Sequence, residues 1–192
     1  MFKSYDTLPE GYSLLGEINM KDNKMEFLFL NIGAIVMFIV VMFAWVGIIG
    51  PLTVSEPLAM LVLMVLFVVN IIIHEWIHAI FFKRGNDVKV TFKFHGFAAS
   101  ASVPGRFFSK KQYLITGMAP FVILTIVYAA VAWFAYLYLT TSYQAVTAFL
   151  MAIHISGCMG DFYVTAKLMS KDPSILVEDY GIGMRYFSKK KE

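Results

Sequence analysis

The hydrophobic positions fall into four long, nearly uninterrupted runs. They cover Phe27–Gly50, Pro57–Phe82, Tyr113–Leu139 and Ala145–Met169. Each lacks Lys and Arg almost entirely, and the first is apolar all round, as a helix surrounded by lipid would be. A hydrocarbon core of about 30 Å needs roughly 20 helical residues, so every run is long enough to span it. The first run follows a polar lead-in rich in acids and lysines, and it is too long for the apolar core of a signal peptide. Short connections at Leu52–Glu56 and Thr140–Gln144 predict antiparallel neighbours, helix one with two and helix three with four.

The segment from Lys83 to Gln112 has a different texture. Val88, Val90, Phe92 and Phe94 alternate with Lys89, Thr91 and Lys93, which is the period of a strand. His95–Gly96 predicts a turn, Phe97–Val103 a return strand, and Pro104–Gly105 its end. Two readings of this hairpin stand side by side. It can lean on the membrane surface, or its open edge can accept an extended peptide by strand addition. The expected architecture is therefore an all-α membrane protein of four transmembrane helices, with a short cytoplasmic β-hairpin between helices two and three. Residues 1–192 form a single domain, closed by a tail over 170–192.

Composition narrows the class. Of 192 residues, 59% are hydrophobic and only 15% charged, against about 25% charged in a soluble domain. A soluble enzyme of this composition could not cover its own surface. Cys158 is the single cysteine, so no disulfide framework exists. The net charge of +3 and the lack of aromatic-interleaved basic runs exclude nucleic acid as a partner.

All 16 Lys and Arg residues lie in the N-terminal segment, in the hairpin connection, or from the end of helix four onward. The other two connections have none. Four spans put every basic residue on one face, and the positive-inside rule makes that face cytoplasmic. Both termini are then inside. The Lys189–Lys191 cluster would sit against an anionic inner leaflet.

Helix two carries His74-Glu75-Trp76-Ile77-His78. Histidines at i and i+4 share one helical face and can converge on one Zn²⁺, and Glu75 can reach a water on that metal without being a ligand. An ionisable residue near the middle of a span costs about 2.5–3.5 kcal/mol, so three titratable groups in five residues demand strong compensation, from a metal or from an interhelical hydrogen-bond cluster, and the ligand spacing favours the metal. Zinc needs a third protein ligand and an open position. His78 lies ~7.5 Å and His74 ~13 Å from the boundary marked by Lys83, while Asp161 lies ~9 Å from Lys167. Asp161 is thus level with the pair and is the preferred third ligand, with an outer-shell role as the alternative. His154 is ~10 Å deeper than Asp161 unless Gly157 and Gly160 break the helix. It is assigned an outer-shell or oxyanion-donating role, or that of a hydrogen-bonded core histidine. Asn70, one turn before His74, is a further polar group for ligand, substrate or helix contact. Pro120 leaves the Thr116 carbonyl without its helical partner, which predicts a kink beside Gly117.

These residues resemble a known family. The His74–His78 motif in a membrane helix, the β-like insertion, Gly117-Met-Ala-Pro120 and His154-Ile-Ser-Gly-Cys-Met-Gly-Asp161 are similar to the zincin peptidases among small bacterial membrane proteins. Those in turn are similar to site-2 intramembrane zinc metalloproteases. In the latter the third ligand is an aspartate on a later helix in an Asn-Pro…Asp-Gly setting; this chain has Gly160-Asp161-Phe162 there. The resemblance implies an integral protein of a bacterial plasma membrane, with Zn²⁺ as cofactor and a membrane protein or peptide as substrate. Its implied activity is peptide hydrolysis near the cytoplasmic leaflet, with Glu75 as general base.

Two other classes compete. A non-catalytic metal-binding scaffold would tolerate loss of Glu75, and a transporter would need polar groups on both sides of the midplane, where the outer helix halves are apolar. A metal hydrolase acting on a lipid or lipidated peptide shares the same site. A homo-oligomer is compatible with the sequence.

Overall fold

A computed structural model of the chain describes residues 3–20, 22–94, 99–181 and 183–190. The apolar runs become helices α1 (Lys24–Ile49), α2 (Pro57–Lys83), α3 (Lys110–Tyr138), α4 (Thr141–Gly157) and α5 (Met159–Met169). Helices α4 and α5 together form the fourth run. Four helical segments are therefore long and apolar enough to cross a membrane, the fourth being the least apolar and the most buried. Large apolar side chains lie exposed along α1, α2 and α3, among them Phe29, Phe43, Met64 and Trp133. That is the surface expected of helices solvated by lipid.

The fourth run is not continuous. It breaks at Cys158, whose backbone N–H turns back to the carbonyls of His154 and Ile155 at 3.2 and 3.3 Å.

Among the described residues, seven strands accompany the helices: β1 (Ser4–Tyr5), β2 (Tyr12–Asn19), β3 (Thr91–Phe94), β4 (Ala99–Ser102), β5 (Phe107–Ser109), β6 (Leu176–Asp179) and β7 (Gly183–Lys189). Strands β3 and β4 pair antiparallel, Thr91 opposite Ser102 and Phe94 opposite Ala99. This is the expected hairpin, shorter than the alternation suggested: Val88–Val90 remain irregular. The expected turn at His95–Gly96 lies outside the described residues.

The other five strands correct the all-α expectation. They form one antiparallel sheet in the order β1-β5-β6-β7-β2. The polar lead-in supplies β1 and β2, the tail supplies β6 and β7, and the connection before α3 supplies β5. Their pairing is long-range: Tyr12 faces Lys189 and Asn19 faces Gly183. Period two is hidden in β2 by a bulge between Leu14 and Gly16, which inserts one extra residue. Gly16 lies directly on the Tyr186 ring, where any side chain would collide.

The chain folds as two compact units. The first holds Met1–Leu28, Glu75–Ala119 and Asp161–Glu192; the second holds Phe29–His74 and Pro120–Gly160. The first unit contains the sheet, the hairpin and the ends of α2, α3 and α5. Its core joins Ile18, Val177 and Met184 of the sheet to Phe82 of α2, Tyr113 of α3 and Leu168 of α5. Burying aromatic and aliphatic groups of this size contributes about 1.5–3 kcal/mol each, which anchors these helix ends to the sheet. The second unit is wholly helical. Ala59 of α2 packs on Val146 and Leu150 of α4, and Thr140 donates to Glu56 at 2.7 Å between its two short connections.

Candidate active site

In the first unit, the sequence around Glu75 and His78 is held from three directions. His78 is buried, and its Nδ1 lies 2.9 Å from the Thr116 carbonyl oxygen. A carbonyl only accepts, so Nδ1 carries the proton and the Nε2 lone pair is left for a ligand. The carbonyl is available because Pro120, four residues on, has no N–H to offer it. The Pro120 feature read from sequence as a kink therefore serves as a hydrogen-bond acceptor for a site histidine.

His78 Nε2 lies 3.5 Å from Asp161 Oδ1. A direct charged hydrogen bond would be about 2.7–2.9 Å. Two ligands of one tetrahedral zinc, each about 2.0–2.1 Å from it, sit about 3.3 Å apart. The observed spacing matches the edge of such a tetrahedron better than it matches a bonded pair. The histidine is also oriented by a carbonyl, the usual outer-shell arrangement of zinc-ligating imidazoles. The donor set at this position thus fits the metal.

His74 lies one turn before His78 on the same unbroken helix. Glu75 is tied to the hairpin: its Oε2 accepts from the backbone N–H of Ala101 in β4 at 2.6 Å. A short bond of this kind fixes a carboxylate that α2 alone would leave free to rotate.

A fourth feature of this unit had no sequence signal. Asp179, at the end of β6, accepts from the Tyr113 hydroxyl at 2.6 Å and from the Gly181 N–H at 2.8 Å. Gly181 turns with φ of 100°, a conformation glycine adopts without strain. Burial raises the Asp179 carboxyl to about 6, against the lowering influence of these two donors and of His78. A carboxylate from the tail thus stands within electrostatic range of Glu75 and His78. Its position depends on a strand register that no local pattern reveals.

In the second unit, Asn70 is buried and accepts from the Tyr128 hydroxyl at 2.8 Å. This is a bond between α2 and α3. His154 is 1% exposed, with Nε2 3.2 Å from Thr125 Oγ1 and 3.4 Å from the Phe121 carbonyl. Its ring meets that of His74 edge-on, centroids 6.4 Å apart.

A family model described as "Putative zincin peptidase" matches residues 67–176, more than half of the chain. The chain belongs to that zincin peptidase family. The matched span runs from helix α2 through the hairpin and α3 to the start of β6, so it contains every site residue described above except Asp179 and Gly181. Zinc peptidase chemistry is what this family's description carries, and the donor set at His78 and Asp161 agrees with that metal. No curated protein and no solved structure matches this zincin-family chain.

The Pro120–Thr116–His78 relay makes a prediction. In Pro120→Ala the new N–H at position 120 can bond the Thr116 carbonyl and compete with His78. Helix α3 itself should be no less stable, since alanine favours a helix interior. Zinc affinity, read by competition with a chromophoric chelator, is expected to fall about 10–100-fold, the usual cost of losing an outer-shell partner. Unchanged affinity would mean that the carbonyl does not orient the ring.

Proposed function

We propose that the protein is a zinc-dependent peptidase embedded in the membrane, cleaving peptide bonds of membrane or membrane-adjacent substrates near the cytoplasmic leaflet. The observation that carries this reading is the pairing of His78 Nε2 with the Asp161 carboxylate at 3.5 Å, beside a Glu75 anchored to β4. His74, His78 and Asp161 would hold Zn²⁺. When bound, the ion would polarise the scissile carbonyl and acidify water at its open position.

The remaining roles belong to the chain. Glu75 takes the proton from water and returns it to the leaving amine, as a positioned carboxylate does in general acid–base catalysis. The Thr116 carbonyl holds the His78 ring in one tautomer. Strand β4 holds Glu75 through Ala101, and a strand of this kind can also take an extended peptide along its edge. An extended substrate is required, because the peptide bonds of a helix are shielded by their own hydrogen bonds. Helix breakers near a substrate's inner end would favour cleavage. The placement of all sixteen basic residues supports a cytoplasmic position for the sheet, the hairpin and this site.

The test uses the full-length protein reconstituted with a membrane-spanning peptide that carries Gly and Pro near one end. Cleavage is expected, with loss on zinc chelation and recovery on adding zinc back. Cleavage that persists in metal-free protein would contradict the proposal.

A further inference from the structure

We propose that His74, His154 and Cys158 form a second zinc-binding set, one that contains a thiolate and competes with the hydrolytic set for His74. All three belong to the second compact unit. Each offers one ligand atom, and these atoms lie within 4.8 Å of one another. Cys158 Sγ is 4.0 Å from His154 Nδ1. Sulfur at about 2.3 Å and nitrogen at about 2.0 Å from a tetrahedral zinc would be about 3.6 Å apart. A movement of a few tenths of an ångström therefore brings the Cys158–His154 pair to ligand spacing.

The outer partners suit this use. His154 Nε2 faces the Phe121 carbonyl and the Thr125 hydroxyl, one turn apart on α3. With Nε2 donating to them, the Nδ1 lone pair is left on the sulfur side. Cys158 is fully buried at the break between α4 and α5, and its Sγ lies 3.3 Å from the His154 carbonyl. A buried thiol in apolar surroundings is inert by itself; zinc converts it to a thiolate and releases one proton. Thiolate sulfur and imidazole nitrogen are both accepted zinc ligands, and mixed sets of the two are common. In sequence, the signal is His154 and Cys158 at i and i+4, the same spacing as His74 and His78.

A neutral imidazole offers one lone pair, because its other nitrogen carries the proton. His74 can therefore serve one set at a time. Zinc held with Cys158 takes His74 away from the set that contains His78 and Asp161. The thiolate set is then a resting position for the metal, and the division of zinc between the two positions fixes the active fraction. This inference rests on the hydrolytic reading only through its use of His74.

Cobalt replaces zinc as the probe, because a thiolate ligand gives Co²⁺ a near-ultraviolet charge-transfer band that nitrogen and oxygen ligands do not. Asp161→Asn weakens the hydrolytic set, and the expected result is a cobalt-loaded protein with the sulfur band. Adding Cys158→Ser should abolish the band and weaken cobalt binding by more than about tenfold. Serine can keep the bond to the His154 carbonyl. His78→Ala serves as a second background if Asp161→Asn fails to fold, with the same expectation. No sulfur band in either background, with cobalt binding indifferent to Cys158→Ser, would overturn the proposal. The hydrolytic reading is scored separately by the chelator sensitivity of wild-type cleavage, so the two can fail independently.

Discussion

Replacing Glu75 with glutamine is expected to remove peptide cleavage while leaving the metal in place. The substitution keeps the shape of the side chain and retains an oxygen that can accept from Ala101, so the bond to β4 survives. It removes only the basicity of the carboxylate. Loss of a general base costs about 10²–10⁴-fold in rate. In the proposed mechanism Glu75 is not a ligand, so zinc content and affinity should match wild type. The pair of measurements separates a base from a structural anchor: an anchor would be preserved by glutamine and cleavage would continue. Cleavage at wild-type rate would remove Glu75 from the mechanism and favour a metal-binding scaffold.

The helices were legible in the sequence for a simple physical reason. A span must satisfy all its backbone bonds internally and face lipid on every side, so it writes a long apolar run with no dependence on partners. The histidine pair was legible because both residues lie on one helix, where spacing alone fixes their geometry. Asp161 is brought to 3.5 Å from His78 by helix α5, and depth along two helices was enough to nominate it.

The sheet was not legible. Strands β1 and β5 have two and three residues, too few for any period to show. Strand β2 finds its partner β7 more than 160 residues away, and its alternation is interrupted by a bulge. The same distance hides Asp179, whose place beside Tyr113 depends on the β6 register. Thr116 and Ala101 act through their backbone, so their side chains carry no hint of it. The Pro120 signal was present, yet a proline announces a vacant acceptor without saying which donor takes it.

The second large effect concerns Asp161. A carboxylate within a span has few ways to be satisfied, and a zinc ion shared with two imidazoles is one that also makes chemistry. If Asp161 is the third ligand, its removal leaves two histidines, which hold zinc weakly, unless another donor replaces it. Cys158 and His154 supply such a replacement in the thiolate set, so zinc content of Asp161→Ala alone would mix two effects. The test therefore starts from Cys158→Ser, which disables the sulfur donor first. In that background both zinc retention and cleavage are expected to depend on Asp161.

The decisive measurement is zinc content per chain after extensive dialysis, compared between Cys158→Ser and Cys158→Ser/Asp161→Ala. The account predicts about one zinc in the first and less than about a tenth of that in the second, since a catalytic zinc needs three protein ligands. A full equivalent of zinc in the double variant would contradict it, because the metal would then be held without Asp161.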